Sequence, residues 1–141
     1  MKTSVQLIMA IAISVFGTAA FADRFKCEAQ DSGYNVKLFN HVHASDGTRT
    51  PAALIVSDVD AGTLLVRKGE SISKTNRKNT VRYTVEGSRK LGADTAILQV
   101  TFKQGKEVIA EGDVRPGQLI LIADGQREVH ELSCERYLKQ D

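Results

Sequence analysis

Apolar and polar residues alternate along most of this chain, with a period of two rather than 3.6. Tyr34, Val36, Leu38 and Val42 fall on one side of an extended segment and Asn35, Lys37, His41 and His43 on the other. The same alternation returns in Val81, Tyr83 and Val85 against Arg82, Thr84 and Glu86, and in Leu98, Val100 and Phe102 against Gln99, Thr101 and Lys103. Three runs are more continuously apolar: residues 52–56 (AALIV), 63–66 (TLLV) and 119–123 (LILIA). Shorter alternating pieces open the pattern at Phe25-Lys26-Cys27-Glu28-Ala29 and continue it at Glu107-Val108-Ile109-Ala110 and over residues 128–137.

Turn chemistry separates these runs: Asp31-Ser32-Gly33, Ser45-Asp46-Gly47, Asp60-Ala61-Gly62, Gln104-Gly105 and Asp124-Gly125, the last a strong two-residue hairpin signal. Residues 69–79 are polar and read as a connecting loop. No segment carries a useful helical period. Eight or nine short strands at close spacing predict an all-β domain, and we expect a small antiparallel β-barrel of about eight strands in meander order.

The N-terminus follows another pattern. A short positive start, an apolar run over residues 5–16 and a small-residue Ala-Phe-Ala ending at Ala22 have the layout of a secretory signal peptide, with charge returning at Asp23-Arg24. The run is too short to span a bilayer, which takes about 20 residues. The expected organisation is a signal over residues 1–22 and one domain over 23–141. The mature protein is then periplasmic or secreted, with no transmembrane segment after cleavage.

Export gives the cysteines their meaning. Cys27 and Cys134 are the two cysteines of the chain, and an oxidising compartment lets such a pair persist as a disulfide. Joining them ties the first strand to the last. If those strands also pair, the meander closes into a barrel without free edges. The interior of such a barrel is filled by side chains or holds one small ligand.

Charge is unevenly placed. Between residues 67 and 90 lie Arg67, Lys68, Lys74, Arg77, Lys78, Arg82, Arg89 and Lys90, opposed by Glu70 and Glu86, a net +6. The rest of the mature chain carries −5. These eight residues are the candidate binding surface, expected to project from one rim of the barrel towards an anionic envelope component or an acidic-clefted protein. Tyr83 is the lone aromatic among them, which argues against nucleic acid. His41 and His43 share a strand face, with His130 as a candidate third ligand; we read them as exposed residues and expect no metal site. No nucleophile elbow, zinc-protease helix or phosphate loop occurs. We therefore expect no enzyme, no catalytic residue and no cofactor.

The layout resembles small exported bacterial β-barrels such as the periplasmic inhibitors of c-type lysozyme. The resemblance is carried by the signal, Phe25-Lys26-Cys27, Tyr34-Asn35-Val36-Lys37-Leu38 and the near-terminal Cys134. It implies a disulfide-stapled eight-stranded barrel. The inhibitory Ser-Gly-x-x-Tyr loop of that family is absent; Asn79-Thr80-Val81-Arg82-Tyr83 stands in a similar region. No functional residue is carried over. Residues 132–139 (LSCERYLK) are also similar to the tails of uncharacterised secreted proteins of predatory bacteria, which implies no activity. Two readings result: a non-enzymatic envelope binding module using the basic region, and a small-ligand carrier using the barrel interior.

Overall fold

A computed structural model describes residues 24–42, 49–102 and 114–136. The signal segment, the turn at 45–47, His43, the turn at Gln104-Gly105 and the strand read at 107–110 lie outside the described residues.

Among the described residues nine strands form one antiparallel sheet: β1 (Phe25–Ala29), β2 (Tyr34–Val42), β3 (Arg49–Asp58), β4 (Gly62–Lys68), β5 (Ser73–Asn76), β6 (Thr80–Ser88), β7 (Ala93–Thr101), β8 (Val114–Ala123) and β9 (Gln126–Arg136). Their spatial order is β4-β3-β2-β1-β9-β8-β7-β6-β5. Every sequential neighbour pairs except β4 and β5, and the first and last strands pair directly. The sheet curls into a half-barrel.

Alternation fixes the inside. Phe25 and Cys27, Val36 and Leu38, Leu54 and Val56, Val81, Tyr83 and Val85, Leu98 and Val100, and Leu132 and Cys134 are all buried on the concave face. Burying each such side chain contributes about 1.5–3 kcal/mol. Cys27 and Cys134 stand opposite each other in the β1–β9 register and are bonded, with Cα atoms 4.0 Å apart. The disulfide is part of the core.

Closure differs from expectation, and so does the strand count. Pairing β1 with β9 does not remove the edges; it moves them to β4 and β5, in the middle of the sequence. Antiparallel pairing around the whole sheet makes β4 and β5 run in the same direction. They are successive halves of one interrupted path, broken by a 3-10 turn at Gly69–Ser71. The polar segment read as a loop therefore contains a strand, β5, anchored by the one buried side chain of that segment, Ile72.

β4 pairs with β3, and β5 pairs with β6 over Val81–Thr84 only. The upper half of β6 faces β4 without a backbone ladder. Side chains bridge that seam. Arg67 donates from Nε to the Glu86 carbonyl at 3.0 Å and from Nη2 to the Gly87 carbonyl at 2.6 Å, and Ser88 Oγ donates to the Leu64 carbonyl at 2.8 Å.

Both prolines sit where a ladder is missing. β4 pairs with β3 from Ala53 onwards, leaving Pro51 on an edge, and β7 pairs with β8 from Gly117 onwards, leaving Pro116 free on that side. The Asp124-Gly125 hairpin is present as read, with both residues at positive φ (53° and 78°) and Ala123 paired to Gln126.

Candidate functional site

The eight basic residues do not form one rim. β6 carries the β5–β6 turn at one end and the β6–β7 turn at the other. Its nine residues separate Arg77 and Lys78 from Arg89 and Lys90 by about 27 Å. Two of the eight are half-buried and hydrogen-bonded within the sheet. Arg67 bridges the seam, also donating from Nη1 to the Val66 carbonyl at 2.9 Å.

Arg82 begins a ladder across the convex face. Its Nε donates to Gln99 Oε1 at 2.6 Å, Gln99 Nε2 donates to Gln118 Oε1 at 3.4 Å, and Gln118 Nε2 donates to Glu131 Oε2 at 2.9 Å. These four residues are directly opposed across β6, β7, β8 and β9, so register alone aligns them.

The remaining bases divide into two groups. Lys68, Lys74, Arg77 and Lys78 follow the interrupted β4–β5 path and are all exposed, with exposed Glu70 among them. Arg89 and Lys90 are exposed on the opposite end.

The histidines separate as well. His41 sits seven residues along β2 from Tyr34, about 23 Å, and His130 is beside Tyr34. His130 thus belongs to the other end of the sheet and cannot join His41. Among the described residues no group of three or more His, Cys, Asp and Glu side chains is placed to hold a metal ion.

The end where β2 begins has four short turns, at residues 30–33, 59–61, 89–92 and 124–125. A polar cluster lies there. His130 and Glu128 share the face of Leu132 and Cys134, two and four residues earlier on β9. His130 Nδ1 is 3.5 Å from Asp31 Oδ1, and Nε2 bonds Glu128 Oε2. The Tyr34 ring meets the imidazole edge to face, centroids 4.8 Å apart.

The Tyr34 hydroxyl is held protonated above the ordinary tyrosine range, first by burial, then by the Glu128 and Asp58 carboxylates. Asp58 is fixed in turn: its Oδ2 accepts from the Asp60 and Ala61 amides at 2.9 and 3.0 Å. A cavity of about 200 Å³ opens at this cluster, lined by Tyr34, Leu91, Gly92, Leu121, Ala123, Gln126, Arg127 and Glu128.

Sequence reading missed this cluster. The period-two face did carry a signal, since Glu128 and His130 are polar residues on the face of the core pair Leu132 and Cys134. Asp31 and Tyr34 join them only because β1 lies between β2 and β9. The same face puts Arg136, fully buried, at the far end of β9.

No protein-family model, curated protein or solved structure matches this chain. Among the described residues no helix is long and apolar enough to cross a membrane.

Proposed function

We propose that this protein is an exported, non-enzymatic binding module of the bacterial envelope, holding an anionic polymer along its interrupted β4–β5 path. One observation carries the reading: Lys68, Lys74, Arg77 and Lys78 are all exposed along that path, with Glu70 as the acid among them. Arg67 and Arg82 are half-buried in the seam and the convex ladder, so the reading takes the four exposed bases of this path, with Arg89 and Lys90 exposed at the opposite end. The buried disulfide supports export, because such bonds persist in oxidising compartments.

Binding of this kind is electrostatic. Exposed charges are screened over about 8–10 Å at physiological ionic strength, so affinity falls as salt rises. The test is sedimentation with immobilised polyphosphate across a salt series, comparing the native chain with Lys74→Glu/Arg77→Glu/Lys78→Glu. The reading expects retention at low salt, release at high salt and loss of retention in the triple variant. Equal retention of the variant overturns it.

A second reading, a small-ligand carrier, is favoured by the cavity beside Tyr34. The middle of the barrel is occupied by the inward side chains of the core, so the cavity of this reading is at the turn end and not along the axis.

A further inference from the structure

The cavity at the turn end has a defined chemistry. Its lining is mostly polar, and buried Leu91 and Leu121 with half-buried Ala123 supply its apolar part. Tyr34 and Glu128 also line it. At about 200 Å³ it is smaller than the roughly 300–1,000 Å³ of drug-sized sites, so it suits a compact group and not a polymer chain.

We propose that this cavity binds a small organic cation, an alkylammonium head group seated on Leu91 and Leu121 against the Tyr34 ring and facing the Glu128 carboxylate. The proposal deepens the carrier reading and is independent of the basic path.

Three features favour a cation over a neutral or anionic guest. Glu128 does not have to be ordered by the ligand, because His130 already holds its Oε2, and His130 is itself placed by Asp31 and by the Tyr34 ring. A carboxylate fixed before binding loses little freedom when the ligand arrives. Asp31, Asp58 and Glu128 come from the β1–β2 turn, the end of β3 and β9, and the last two act on the Tyr34 hydroxyl; with Asp60, Asp94 and Asp124 on or beside the neighbouring turns they outnumber the bases of this end, Arg89 and Lys90 beside Leu91 and Arg127 on the lining. The one formal cation on the lining, Arg127, occupies the alternate register position of β9, opposite Ile122 rather than the inward Leu121, and is exposed.

The Tyr34 ring then adds attraction for an ammonium group. Glu128 is itself largely exposed, with 62% of its side chain accessible, so the ion contact is partly screened and binding is weak.

The experiment is an amide-resolved NMR titration of the full mature chain with choline and, separately, with its neutral isostere 3,3-dimethyl-1-butanol. The proposal expects saturable shifts at Tyr34, Leu91, Gly92 and Leu121 with the cation. It expects at least three-fold weaker binding of the neutral alcohol. Glu128→Gln, whose amide oxygen can still accept from His130, should weaken the cation at least three-fold and leave the alcohol unchanged. Tyr34→Leu should weaken the cation as well.

Equal response to cation and alcohol would overturn the cation assignment while leaving a carrier. No saturable response to either would remove both. Retained cation binding in Lys74→Glu/Arg77→Glu/Lys78→Glu is expected; its loss would show that the response came from the basic path and overturn the assignment.

Discussion

Arg67 Nη2 donates to the carbonyl of Gly87 at 2.6 Å, across the seam where β4 and β6 share no backbone ladder. The guanidinium does there what a paired strand would do: it satisfies the carbonyls of Glu86 and Gly87 together. A planar fork of donors can reach two adjacent carbonyls at once, which a lysine ammonium does less well. We expect Arg67→Ala to lower stability by about 1.5–3 kcal/mol, the scale of hydrogen bonds from a charged donor. Arg67→Lys should recover only part of that. Urea unfolding measures the loss, and hydrogen exchange at residues 86–88 should rise with it. Unchanged exchange in Arg67→Ala would mean that the seam is held by other contacts.

Gly117 makes room for the disulfide. A Cβ built on it would stand 2.8 Å from Cys134 Sγ and 2.8 Å from the Gln99 carbonyl oxygen. Both obstacles are in the packed interior, so neither can swing aside. Gly117→Ala should therefore cost about 1–3 kcal/mol, the usual range for overpacking. In a Cys27→Ala/Cys134→Ala background one obstacle disappears and the Gln99 carbonyl remains. The same glycine substitution should then cost less, though not nothing. A thermal-unfolding double-mutant cycle reads the coupling, and strict additivity would refute the contact.

These two relationships mark what the sequence could and could not disclose. Val81, Tyr83 and Val85 announce their strand and its buried face by alternation alone, and Asp124-Gly125 announces its hairpin by local backbone preference. Such signals are local. The break between β4 and β5 is not: Gly69 to Asn76 is polar, buries only Ile72 among its side chains and forms a strand because β6 has an open half to pair with. Arg67 is read as a surface charge for the same reason. Its partners lie 19 and 20 residues further on, across a seam that exists only once the sheet has curled. The cluster at His130 is more remote still, since Asp31 stands 99 residues away in sequence.

The Cys27–Cys134 bond closes a separation of 107 residues and is buried at both ends, 2% and 0% exposed. Its removal in Cys27→Ala/Cys134→Ala should lower stability by about 2–5 kcal/mol. Burial adds a kinetic expectation. A thiolate reductant reaches the bond only when the chain opens, so reduction by dithiothreitol should be slow in buffer and fast in denaturant. Thiol labelling followed by mass spectrometry distinguishes the two regimes. Rapid reduction of the native protein would show that the β1–β9 pair opens locally.

The Tyr34 hydroxyl yields a prediction about alkaline stability. Burial, with the Glu128 and Asp58 carboxylates added to it, raises the value at which Tyr34 ionises in the folded chain. In the unfolded chain the residue ionises at the ordinary tyrosine value of about 10. Below that value both states carry the proton and the contribution of Tyr34 is fully present. As pH rises past about 10, the unfolded chain releases its proton first, and unfolding is favoured progressively until the folded hydroxyl ionises too. Stability should therefore fall above pH 10 with a slope that Tyr34→Phe reduces, because phenylalanine has no proton to lose. The comparison needs urea midpoints for both chains at neutral pH and at several values above 10. Parallel declines in the two proteins would assign the alkaline loss to other groups and leave Tyr34 without a part in it.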